Sequence, residues 1–210
     1  MKLKRDRKRP AQEIGSAVLS VIYILMLPAM FVLPLICAAD YSIAENTLYE
    51  LADQSPFASV IINIIIMVLA AGLVGTGWRW YKGFIFQRIF LLLFGLSLIM
   101  TALVSLHGMV TNVTQYQGKI GWYSYFINTA WLTFIILAIS TSSILNNISG
   151  RFLSVTAGFS GLLLTILVYE AEFAAGIWQR LLFVISFGWM IYTFRIRIQQ
   201  EQKTSDNEQG

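Results

Sequence analysis

Six stretches of roughly 18–25 mostly apolar residues run through the 210-residue chain, and its charges fall almost entirely between them. A hydrocarbon core about 30 Å thick takes about 20 helical residues to cross. Six crossings use more than half of the chain and leave short loops, a basic head and a polar tail. Backbone groups in lipid must be satisfied internally, so a span is a helix or part of a closed barrel. Barrel strands alternate in polarity, whereas Ile64–Val74 is an unbroken apolar run. The expected class is therefore all-α: a polytopic membrane bundle of six transmembrane helices. The expected organisation is a head at 1–13, a membrane domain at 14–195 and a tail at 196–210. Charged residues make up 12% of the chain, against about 25% in soluble domains, which fits lipid as the main solvent.

The spans are expected at about 14–39, 57–78, 89–107, 122–145, 152–169 and 177–194. Pro28 and Pro34 interrupt the first and predict a kink, since proline removes a backbone donor. Six of the fifteen Lys and Arg residues lie in the first nine positions. Beside a span, such a head sets topology and attracts anionic lipid; a nucleic-acid partner is not expected. The head, the 79–88 loop, Arg151 and the tail hold thirteen of the basic residues, and the other three loops hold Lys119 and Arg180. Cytoplasmic loops carry the excess of Lys and Arg, so both termini are expected inside a plasma membrane, most simply a prokaryotic one. Trp78, Trp80 and Tyr81, then Trp122, Tyr123 and Tyr125, and finally Trp178 stand where interfacial aromatic rings belong. Small residues in spans two and five predict close helix packing within the chain, with a homodimer as the other use.

The acidic residues near the spans gather on the expected outer side: Asp40, Glu45, Glu50, Asp53, Glu170 and Glu172. The single histidine, His107, ends span three on that side. Asn63 and Asn128 each lie about 9 Å into a span, and buried amides need partners. An outward-facing polar pocket is expected, with Asn63 and Asn128 as binding residues. In a catalytic version His107 is the base, Asp40 or Glu170 orients it, and Arg180 clamps a phosphate or carboxylate. In a structural version the amides join helices and Arg180 pairs with Glu170 or Glu172. The lone Cys37 and His107 exclude a zinc site of several His and Cys ligands. No metal or cofactor is assigned, although a carboxylate-dominated site for a hard cation stays open, and there is no glycine-rich phosphate loop and no G-x-S-x-G serine. Midplane charges, usual in ion-coupled transporters, are missing from every span.

Tyr41-Ser42-Ile43-Ala44-Glu45-Asn46-Thr47-Leu48, then Glu50-Leu51-Ala52 and Ser55-Pro56, resembles the first outer loop of the domain-of-unknown-function family numbered 998. His107 and the run Gly176-Ile177-Trp178-Gln179-Arg180 fit its pattern too. The chain departs from it at Ser105-Leu106, where a proline precedes the histidine, and at Gln179, where an acidic residue precedes the arginine. The resemblance implies a multi-span prokaryotic membrane protein with no assigned activity, and marks Tyr41, Asn46, His107 and Arg180 as candidate positions. Three functions fit: an accessory protein contacting lipid headgroups or a partner protein through the pocket; a membrane hydrolase or transferase on a lipid or polyprenyl substrate; and, least well, a small-molecule transporter.

Overall fold

Long apolar runs with few β-breaking turns become helices, and among the described residues there is no strand. A computed structural model describes residues 8–37, 41–110 and 116–207, and the side chains of 15–37, 41–107, 121–171 and 173–196. The helices are α1 (Lys8–Phe31), α2 (Leu33–Cys37), α3 (Leu51–Gln54), α4 (Pro56–Trp80), α5 (Ile85–Val110), α6 (Tyr116–Ser142), α7 (Ile148–Glu170) and α8 (Ala175–Asn207). Five segments are long and apolar enough to cross a membrane, and Gly15–Phe31 is a shorter apolar helix. The helix ends follow local chemistry. Ser55 caps α4, its hydroxyl accepting from the Ala58 amide, with Pro56 in the first turn. Asn147 caps α7 through the Ser149 amide, which starts that helix four residues before the expected limit. The charged tail continues α8 instead of leaving it.

The predicted kink in the first span is a break. Val32 separates α1 from α2, and its amide still reaches the Pro28 carbonyl at 2.8 Å. Pro34 follows at the second position of α2, where it has no N–H to return to the Met30 carbonyl. That carbonyl takes its hydrogen bond from Arg180 instead.

The long helices form a closed ring in the order α1, α4, α5, α6, α7, α8, with α1 packing against both α4 and α8. Neighbours are antiparallel: Leu19 of α1 lies over Gly72 of α4, and Gly15 lies by Thr76. Gly72, Gly77, Gly158 and Gly161 serve these contacts, Gly158 sitting against Ile139 and the Ile135 carbonyl, whereas Ala71 and Gly75 are exposed. Polar side chains tie the interfaces: Tyr23 to the Val184 carbonyl, Tyr81 to Thr141, and Trp189 to Ser154. Phe94, Phe134 and Phe187, with Phe183, fill the centre and are almost wholly buried. Their ring centroids lie about 6 Å apart, in the range of favourable aromatic pairs.

This topology sorts the loops into two ends. Glu45, Glu50, Asp53 and Glu170 share one end, and Arg79, Lys82, Arg88, Arg151 and Arg195 the other. The aromatic anchors divide. Trp78, Trp122 and Tyr125 are 43–61% exposed, as interfacial rings are, but Tyr81 and Tyr123 are buried packing residues.

Candidate functional site

The connection at the acidic end is a strap, fastened to the start of α8 by one buried arginine. Arg180 has no exposed surface. Its Nε donates to the Met30 carbonyl at 3.0 Å, and Nη1 to the carbonyls of Ile43, Asn46 and Gly176 at 2.8–3.1 Å. Nη2 donates to the Tyr41 hydroxyl, whose own proton points to the carbonyls of Asn46 and Thr47, both 2.9 Å away. Asn46 closes the turn, its Oδ1 accepting from the Ser42 amide. Gly176 permits the approach, because a Cβ there would collide with the carbonyl oxygens of Ile43 and Asn46. The Ile177 amide, otherwise unpaired in the first turn of α8, donates to Ala44. A cluster of carbonyl oxygens thus faces both a guanidinium and the positive end of a helix dipole. Burial holds the Tyr41 phenol above its ordinary pKa despite the opposing pull of Arg180, so it stays a donor.

The same strap borders a cleft of about 310 Å³ lined from α6, α7 and the start of α8. Thr47, Tyr49, Glu50, Ser124, Tyr169 and Gln179 form its polar upper part, and Ile127, Trp131 and Val168 its mainly apolar depth, with Thr165, whose hydroxyl donates to the Gly161 carbonyl. Trp131 lies ten residues along α6 from Gly121, or about 15 Å down the helix. Gln179 joins the strap to the cleft: its Oε1 accepts from the Leu48 amide at 2.8 Å and its Nε2 donates to the Tyr123 hydroxyl at 3.1 Å. Thr47 and Glu50 form a capping box. Glu50 Oε2 accepts from the Thr47 amide and hydroxyl, and the Glu50 amide turns back to Thr47 Oγ1. Asp53, one turn on, holds its proton more tightly than an ordinary aspartate, through burial and then repulsion from Glu50. Burial and the charge of Asp53 likewise raise the Tyr49 phenol.

The other candidates share this end without converging. Asn63 is buried and donates to Ser59 and, across to α5, to Ser105, both at 3.1 Å. With Thr101, Ser105 and Tyr123 it borders an internal space of about 10 Å³, roughly room for one water. The expected burial of Asn128 is corrected: it is exposed, and its Oδ1 accepts from the Tyr169 hydroxyl between α6 and α7. Its distance from the expected start of the span at Trp122 measured depth along the helix but not the face. His107 is exposed on α5, and Glu170 is exposed at the end of α7; neither lines the cleft. Asp40 and the side chains of Glu172 and Lys119 lie outside the described residues. The expected pairing of Arg180 with Glu170 is corrected, while that with Glu172 falls on a side chain outside the described residues. Among the described residues Arg180 meets no carboxylate, and all three guanidinium nitrogens are engaged by the strap, Met30 and Gly176. No group of three or more His, Cys, Asp or Glu able to hold a metal occurs among the described residues.

Tyr49, Tyr123 and Gln179 were missed as site residues. The Thr47-x-x-Glu50 capping box was the available signal, since it marks an ordered turn instead of a slack loop. No family model, curated protein or solved structure matches this chain.

Proposed function

We propose that the chain is a six-span plasma-membrane protein with both termini in the cytoplasm, and that its acidic end faces outward and binds an amphiphile from the outer leaflet in the α6–α7 cleft. The observation that carries this is the cleft itself: about 310 Å³, lined from α6, α7 and the start of α8, polar at the rim and apolar at Trp131. Small-molecule sites are commonly 300–1,000 Å³, apolar with a few placed polar groups. The Gly15–Phe31 helix, extended by α2, supplies the sixth span, and the basic loops at the opposite end support the orientation. The basic head would lie against anionic lipid of the inner leaflet. Kinship with the uncharacterised family rests on the loop pattern around Tyr41, Asn46 and Arg180, which here serves to fasten the strap that borders the cleft.

Binding without catalysis is the better-supported reading. His107 and Glu170 stand outside the cleft, and the guanidinium of Arg180 is engaged within the protein. A transport path is disfavoured by the aromatic centre, since Phe94, Phe134 and Phe187 close the bundle beneath the strap. Val168→Trp, which fills the cleft from α7, tests the proposal. Native mass spectrometry of protein extracted in a neutral detergent should show a retained lipid on the wild type and at least about tenfold less on the variant, the loss expected when a pocket is occluded. Equal retention by a folded variant would sink the assignment.

A further inference from the structure

We infer that the cleft selects an amphiphile with a positively charged head, an amine or quaternary ammonium, over one with an anionic head; this rests on reading the cleft as an amphiphile site. Glu50 is the only charged side chain among the cleft's lining residues. Its Oε2 is held by Thr47, whereas Oε1 accepts from no described residue. Among the described residues no Lys or Arg lines the cleft, and the neighbouring Arg180 is turned away into the carbonyl cluster. A phosphate or carboxylate head would therefore meet a carboxylate with no cation among the described residues to offset it.

The aromatic lining adds to this field. The Tyr49 and Tyr123 rings pack with centroids 4.4 Å apart, Tyr169 stands on the α7 side, and Trp131 lies below. Ring faces around a nearby carboxylate attract ammonium ions, and the attraction strengthens as the site is desolvated. The Tyr123 hydroxyl accepts from Gln179, so Gln179 fixes the ring pair's orientation. The apolar depth down to Trp131 takes an alkyl chain, and the head is then left at the level of Glu50.

The test offers tetradecyltrimethylammonium, tetradecyl phosphate and tetradecyl maltoside at equal concentration to the full chain in maltoside micelles, with bound amphiphile counted by native mass spectrometry. The wild type should retain the ammonium compound about tenfold over the phosphate, a ratio within the range of one desolvated cation–π contact with a nearby carboxylate. Glu50→Gln keeps an acceptor for the Thr47 amide, so it should preserve the capping box while abolishing most of that preference and leaving maltoside binding unchanged. Tyr49→Leu should weaken ammonium binding alone. Equal retention of all three compounds, lost in Val168→Trp, would overturn the cationic preference while leaving the amphiphile site standing. Retention of none would overturn both, and a preference for phosphate, or an ammonium preference unmoved by both variants, would overturn the inference.

Discussion

Arg180 is a charge placed inside the bundle with no carboxylate beside it among the described residues, and the strap exists to solvate it. Burying an unpaired ion costs several kcal/mol, and the carbonyls of Met30, Ile43, Asn46 and Gly176 with the Tyr41 hydroxyl replace its water. The dependence is mutual, because those carbonyls lose their donor if the side chain is truncated. Arg180→Met should therefore destabilise the protein by about 3 kcal/mol or more, measured by denaturant unfolding in one fixed detergent. Arg180→Lys should recover only part of this, since an ammonium cannot reproduce the planar fork. A loss below about 1 kcal/mol, the contribution of one ordinary hydrogen bond, would show that the strap stands without its arginine. The importance of Arg180 was legible in the sequence from its sign, since with Lys119 it is one of only two cations on the acidic side. Its partners were not, because backbone carbonyls from segments more than 130 residues away leave no mark in residue identity.

The elements repeat this exchange of backbone partners at a larger scale. Pro34 withholds an N–H from the Met30 carbonyl and breaks the first apolar helix, and α8 supplies the missing donor through Arg180. A double-mutant cycle measures the exchange. Pro34→Ala restores a backbone donor to Met30, so Arg180→Met should cost about 1 kcal/mol less in that background than alone. Additive costs would mean that the proline and the arginine act independently. Helix identity and approximate limits were legible from hydropathy, and a kink followed from the prolines. Which face each helix turns inward was not. Asn63 and Asn128 lie at similar depth, yet one joins α4 to α5 from within the bundle while the other lies at the open seam of α6 and α7. The cause is visible in α4 and α6, whose polar residues do not gather on one face, so that no polar face marks the lipid side. The orientation of Tyr123 shows the same ambiguity: an interfacial anchor and a buried packing residue look alike at a helix start.

At the scale of the whole molecule, a ring of antiparallel helices with an aromatic centre leaves one end acidic and cleft, and the other basic. Alternation of charged loops made that division legible, because consecutive apolar helices with short connections reverse direction each time. The cleft was not legible: it arises where the strap from the first connection crosses to α6 and α8, and Thr47, Tyr123 and Gln179 are far apart in sequence. On the proposed function, this end faces outward and draws an amphiphile between α6 and α7. The most direct measurement uses a photoactivatable alkyl ammonium probe with a membrane-impermeant head, added to intact cells, with crosslinks mapped by mass spectrometry. Crosslinks are expected at Ile127, Trp131 and Val168, suppressed in Val168→Trp. Labelling spread evenly over lipid-facing positions such as Phe57, Ile64 and Leu96, or labelling of the cleft only after the cells are opened, would contradict the proposed function.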